Sequence, residues 1–373
     1  MTPLLALRVA AFAVGAAIAL GTLGSAIRAF ILPRAAPNLI PKATFRAMRA
    51  LFDARARFSR GYAARDRVMA LYAPVSLVVV EAVWLWLEAL GFTAMFWALR
   101  VRPVSDAFHE AVSSITTLGF RDLQGTGEVA VAFAASSIGL VLVALLIGYL
   151  PTMYTVFSRR ETLVATLDSR AGVPPSGVDL LARCAGVTRP EEFQEQLNEL
   201  WAQWELWFAD IEETHTSLPA ITYFRSPQPQ RCWVTAAGAV LDAAALTMST
   251  LKVRRDGHAA LCLRSGFRSL ERVAEFFDLE VSSDAGGATR PISVTREEFD
   301  AAYDYLDRAG VPVQENRDEA WRGFASWRGR YDAALLGLCD LVMAPEAPWS
   351  SDRSGGRRRR IGKREVGSGK RVR

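Results

Sequence analysis

The sequence predicts a membrane α-helical fold: three transmembrane helices with a half-length segment folded back before the third, joined to an all-α water-soluble domain. Three observations predict it. Strongly apolar runs at 9–27, 68–99 and 129–150 each reach the roughly 20 residues needed to cross a bilayer. Net charge divides by region, +6 over residues 1–150, −9 over 151–349 and +8 over 350–373. From 160 to 345, apolar residues recur at helical spacing among many charges. The overall +5 thus conceals an acidic globular part between basic segments, which argues against nucleic acid as a partner.

Residues 9–27, VAAFAVGAAIALGTLGSAI, hold no charge, and Gly15, Ala16 and Ala19 give them small faces suited to helix contact in lipid. The expected first segment is a transmembrane helix over 1–30. A cleaved signal peptide is the rival reading, because Arg8 precedes the run and Ser25-Ala26 suits a cleavage site. Residues 31–67 carry nine Lys/Arg against Asp53 and Asp66, which places them in the cytoplasm by charge bias. Arginines interleave there with Phe and Met, so either a basic amphipathic helix on anionic lipid or a solvated linker fits. The second span brings Trp84, Trp86, Phe92 and Trp97 toward its outer half, where aromatic rings favour the headgroup level. Glu81 and Glu88 lie seven residues apart on one helix face, and intramembrane carboxylates mark functional positions.

Between the second and third spans, SDAFHEAVSSITTLGFRD (105–122) reads as a short amphipathic helix from Ser105 to about Thr116, then Thr116-Thr117-Leu118-Gly119-Phe120. Such a segment is too short to cross. Non-helical backbone at membrane depth survives only inside protein or along water. That arrangement suits a pore loop that replaces an ion's hydration shell with backbone carbonyls. Gly119 supplies the positive φ needed to turn carbonyls toward one axis, and the Thr117 hydroxyl offers a further ligand. Phe120 is placed to prop the loop, while the helix C-terminus turns its negative dipole end toward a cation. His109 and Glu110 read as polar contacts on the short helix.

This stretch resembles the signature of the tetrameric potassium-channel family, whose loop runs Thr-Thr-Val-Gly-Tyr-Gly-Asp, where the present chain has Thr116-Thr117-Leu118-Gly119-Phe120-Arg121-Asp122. The resemblance covers about 68–157 and implies a pore unit of helix, re-entrant pore loop and helix. It implies a filter at Thr116, Thr117, Leu118, Gly119 and Phe120, a mouth at Arg121 and Asp122, and four chains around one axis. Arg121 stands where the family has a second glycine, and it adds positive charge at the mouth that Asp122 can pair. The third span, 129–150, holds Gly139 near its middle, open either as a gating hinge or as a close-packing position. Ser136 and Ser137 face water or bond within the helix.

Residues 158–348 are expected to be a helical cytoplasmic domain, with helices at 190–213, 231–251, 267–279, from Thr295 onward, and at 318–344. Leu197, Trp201, Trp204 and Phe208 are expected in a core or subunit contact. Glu212, Glu213 and His215 lack a second histidine at ligand spacing, and His215 with Ser217 is too thin for a hydrolase. No G-x-G-x-x-G follows a strand. The four cysteines, Cys184, Cys232, Cys262 and Cys339, are far apart and read as reduced. Residues 349–373 are expected to be a disordered basic tail.

The expected function is therefore a homotetrameric, multi-pass cell-membrane cation channel that conducts potassium or another monovalent cation. No cofactor beyond the permeant ion and no catalytic constellation is expected. The expected partners are further copies of the chain and membrane lipid, anionic lipid included, through 31–67 and 353–373. A non-conducting membrane-anchored interaction or signalling protein is the alternative.

Overall fold

The computed structural model describes residues 3–31, 38–120, 123, 125–254, 257–279 and 291–353. Among the described residues the regular secondary structure is helical, apart from one isolated antiparallel bridge between Leu251 and Val313. The chain divides into two compact units, Met1–Thr155 and Val156–Arg373.

In the first unit, α1 (Pro3–Phe30) packs against α4 (Tyr72–Ala98). The contacts Arg8 Nε to Ala98 O (2.8 Å), Gly15 to Gly91 and Trp84 Nε1 to Ser25 Oγ (3.2 Å) run in opposite chain order, so the helices are antiparallel. Gly15 is required at the crossing: a Cβ there would sit 2.4 Å from Gly91 O. Small residues permit this backbone-to-backbone approach in lipid, where apolar packing gives helices no other preference for each other. Trp84, expected at headgroup level, is fully buried instead, because its indole N–H finds an acceptor inside the helix contact. Trp86 is exposed and stacks on Phe108.

The basic stretch forms two helices, α2 (Leu39–Arg57) and α3 (Tyr62–Ala70), separated by Gly61 at φ +82°. α5 (Val104–Ile115) follows α4. α6 (Thr126–Ala171) is one continuous helix, running well past the expected end at 150 and through Pro151. Proline is tolerated because the chain continues with a fixed, helix-compatible φ and forfeits a single backbone bond. Three helical stretches, Pro3–Phe30, Tyr62–Ala98 and Thr126–Ala171, are long and apolar enough to cross a membrane.

The second unit is built around α9 (Trp233–Ser249), nearly every residue of which is buried. α7 (Gly177–Val187), α8 (Phe193–Ser217), α10 (His258–Phe276), α11 (Arg296–Arg308), α12 (Arg317–Arg328) and α13 (Asp332–Val342) enclose it. Leu197, Trp201, Trp204 and Phe208 lie in its core. Thr295 caps α11 as expected, and Glu298 completes a reciprocal capping box. Three expectations need correction. The helix expected over 267–279 is the second half of α10, which begins at His258 and ends at Phe276. The run 318–344 is two helices, because the chain turns at 329–331 to bury Tyr331 and the Arg328 guanidinium. Trp349 to Arg353 belong to the folded unit: Trp349 is buried, its carbonyl accepts from Arg328, and Arg353 pairs with Glu298. The expected tail beyond 353 lies outside the described residues. All four cysteines are free.

His215 is buried, while Glu212 pairs with Arg272 and Glu213 accepts from Ser217. Its ring lies 3.4 Å from Arg160 Nη1 and 4.6 Å from the Trp233 ring. Burial, and then the Arg160 charge, hold its pKa well below the ordinary 6.5. The unfolded chain therefore takes up a proton near pH 6.5 that the native fold refuses. Stability conferred by neutral His215 is complete above that pH and falls by about 1.4 kcal/mol per unit below it. Chemical denaturation at pH 7 and pH 5 should show this loss, and His215→Gln should flatten it.

Candidate functional site

α5 is a short amphipathic helix between two of the candidate membrane-crossing stretches, and two contacts place the chain around it. At one end, a Cβ on Gly127 of α6 would touch the Leu99 side chain at the end of α4 (3.5 Å). At the other, α5 ends against Gly139, twelve residues further along α6. A Cβ on Gly139 would lie 2.2 Å from Ile115 O. Twelve residues of helix measure about 18 Å, so between Leu99 and Ile115 the chain travels roughly that far along α6. That close approach is the reason a glycine stands at 139, and α6 is unbroken through it.

The last turn of α5 holds the segment after it. Thr117 N–H donates to Ser114 O (3.1 Å), Leu118 N–H to Ser113 O (2.9 Å) and Phe120 N–H to Ser113 Oγ (2.9 Å). Thr117 and Gly119 have positive φ, +58° and +70°, while Thr116, Leu118 and Phe120 do not. Alternating handedness gathers successive N–H groups on one side of the backbone, which leaves the carbonyls on the other. Here the N–H groups of Thr116, Thr117, Leu118 and Phe120 donate to α5. Among the described residues, no carbonyl of 116–120 accepts a hydrogen bond. The five residues are exposed, Leu118 at 57% and Phe120 at 73%. Phe120 therefore does not prop the segment against α5 by burial, as expected from sequence. Its backbone does so through Ser113.

Ser113 and Ser114 were not singled out by the sequence, although a serine pair one turn before a glycine-containing loop is a recognisable source of local backbone acceptors and donors. Both are buried, and Ser114 O also accepts from Ser136 Oγ of α6 (2.7 Å). Ser137 bonds within its own helix, to Phe133 O. Glu110 is buried with Oε1 on Ser114 Oγ (3.1 Å), and its Oε2 has no partner among the described residues. Glu81 and Glu88 are buried on one face of α4, and neither carboxylate has a hydrogen-bond partner among the described residues. His109 is half-buried beside Phe108. Arg121 and Asp122 lie outside the described residues. Ser113→Ala removes the acceptor for Phe120 N–H, and should lower thermal stability of the first unit by about 1 kcal/mol. Spin-label mobility at a cysteine replacing Phe120 should rise with it.

The second unit holds a cavity of about 140 Å³ between α8, α9 and α12, with Trp201, Thr247, Gln314 and Gly323 among its lining residues. Its amides are engaged by the fold: Gln194 pairs with the Arg254 backbone, and Gln314 donates to Ser249 O. Among the described residues, no three His, Cys, Asp or Glu side chains are grouped to hold a metal. No family model, no curated protein and no solved structure matches the chain.

Proposed function

We propose that the chain is one subunit of a homotetrameric cation channel, with carbonyls of Thr116 to Phe120 replacing the hydration shell of a monovalent cation, potassium first. The observation that carries this reading is the division of hydrogen bonds at 116–120: the N–H groups of Thr116, Thr117, Leu118 and Phe120 donate to α5, and among the described residues none of the five carbonyls accepts one. A row of unpaired carbonyls is costly in lipid and useful only where something polar approaches it. The 18 Å excursion beside α6 reaches about half of a 30 Å hydrocarbon layer, the depth that a re-entrant loop needs. One such loop cannot surround an ion, so several copies must meet at an axis. In this reading the basic stretch and the helical unit lie in the cytoplasm, and no step requires a cofactor or an enzymatic group.

The test is potassium and sodium flux from liposomes holding the purified chain. The expected result is a tetramer that passes potassium, with flux reduced at least tenfold by Gly119→Ala, which places a side chain at φ +70°. Arg121→Gly should raise potassium over sodium. A well-folded tetramer that passes neither ion would overturn the reading. It would favour a non-conducting membrane-anchored signalling protein, the alternative that the positive charge of Arg121 supports.

A further inference from the structure

One face of α2 is packed and the other, which mixes apolar and basic side chains, is exposed among the described residues. The inner face is packed within its own unit. Phe45 and Phe52 meet the Tyr72 ring at the start of α4, Tyr72 Oη donates to Phe45 O (3.1 Å), and Arg49 lies over the same ring. The outer face begins at Leu39 (79% exposed), continues through Ala43, Ala47, Ala50 and Ala54, and ends at Leu51 (61%) and Phe58 (84%). Side chains that small let a helix lie close to a surface, and the large apolar groups at its end can enter one.

The charges on α2 decide what kind of surface that is. α2 carries Lys42, Arg46, Arg49, Arg55 and Arg57 against a single acid, Asp53, which Arg49 already engages at 3.1 Å. Arg46, Arg55 and Arg57 are exposed and have no acidic partner among the described residues. A soluble acidic partner would satisfy the cations and leave Leu39, Leu51 and Phe58 in water. A neutral bilayer would take the apolar groups and leave the cations uncompensated. α2 is also tied to Tyr72, where α4 begins, within a helical stretch, Tyr62–Ala98, that is long and apolar enough to cross a membrane, so a bilayer crossed by that stretch would have its surface within reach of α2.

We propose that the outer face of α2 docks on anionic phospholipid headgroups, with Arg46, Arg55 and Arg57 meeting phosphodiester oxygens and Leu51 and Phe58 entering the acyl boundary. Guanidinium forks match phosphate oxygens geometrically, and a juxtamembrane cation gains about 1 kcal/mol from an anionic leaflet. Removing three arginines should therefore weaken headgroup binding by about fivefold each, on the order of a hundredfold together. The proposal rests on the membrane-crossing helices and not on conduction, so it stands or falls separately from the channel reading.

The test is hydrogen exchange of the full chain in nanodiscs of phosphatidylcholine, and of phosphatidylcholine with one quarter phosphatidylglycerol. Phosphatidylglycerol should slow exchange of the 39–57 amides several-fold while leaving the α4 amides unchanged. The triple variant R46Q/R55Q/R57Q, or 0.5 M salt, should abolish the effect, and R46K/R55K/R57K should keep most of it. Equal exchange in the two lipids would overturn the proposal, and so would protection that survives the triple glutamine variant. Protection by soluble heparin in pure phosphatidylcholine discs, without any from phosphatidylglycerol, would reassign the face to a soluble polyanion.

Discussion

Asp242→Ala should lower the stability of the second unit by about 3–5 kcal/mol, the range expected when one member of a buried ion pair is removed and the other remains. Arg328 and Asp242 are 0% and 2% exposed as side chains, so neither charge has water to fall back on. The Arg328 guanidinium donates to Asp242, to Asp332 Oδ1 (2.7 Å) and to Trp349 O, and Tyr331 Oη donates to Asp242 Oδ1 (2.7 Å). Burial works against the Arg328 charge, but Asp242 and Asp332 outweigh it and hold its pKa above the ordinary value. Truncation leaves a buried cation with one carboxylate and a buried phenol with no acceptor. Both penalties act together, and desolvation decides their size.

The measurement is thermal unfolding of the full chain in detergent by tryptophan fluorescence. Seven of the ten tryptophans lie between 201 and 349, so this signal follows the second unit. At about 2–4 °C per kcal/mol for a unit of this size, the transition should fall by on the order of 10 °C. Asp242→Asn keeps an acceptor for Tyr331 and should cost less. A loss below about 1 kcal/mol for the alanine variant would mean that the network relaxes around the missing carboxylate, and that it does not hold α9, α12 and α13 together.

Gly139→Ala should have the second large effect, and this one falls on the first unit. The new methyl would lie 2.2 Å from Ile115 O and 2.9 Å from Ile115 Cγ2, distances that force backbone to move. Overpacking of this kind costs about 1–3 kcal/mol. Its functional consequence should be larger than its stability cost, because 116–120 hangs from the last turn of α5, which is what must move. Under the channel reading, potassium flux should fall by an order of magnitude or more. Gly148→Ala is the control on the same helix: nothing lies within 4 Å of its Cβ position, and alanine favours helix over glycine. A simple hinge at 139 predicts altered gating with stability intact. Overpacking predicts lower thermal stability as well, so the melting temperature separates the two.

The three candidate spans were legible because crossing a bilayer requires a long apolar run, and such a run has few other uses. Gly15 and Ala19 were legible as helix contacts because small residues let helix backbones approach closely in lipid. The capping box at Thr295 was legible in part, because capping is local chemistry between residues three apart. The expected positive φ at Gly119 was found, and the one at Thr117 was not anticipated, because threonine carries no mark of left-handed backbone. α7 was missed, since its eleven residues offer only three turns of periodicity. The break between α12 and α13 was missed as well. Gly329 marks a turn only once Arg328 and Tyr331 are known to point at Asp242, 86 and 89 residues away.

The amino-acid sequence by itself determined which stretches are apolar enough to enter a membrane, where a capping residue starts α11, and where the excess cations lie. Each of those properties depends on composition and on neighbours within one or two helical turns. Only the tertiary structure decided that Ser113 and Ser114 anchor residues 117–120, that Gly139 makes room for Ile115, and that α2 leaves one apolar basic face uncovered. Those outcomes depend on distances between backbones that are remote in the chain, and a hydrogen bond or a clash is settled within a few tenths of an ångström, a scale on which residue order carries no information.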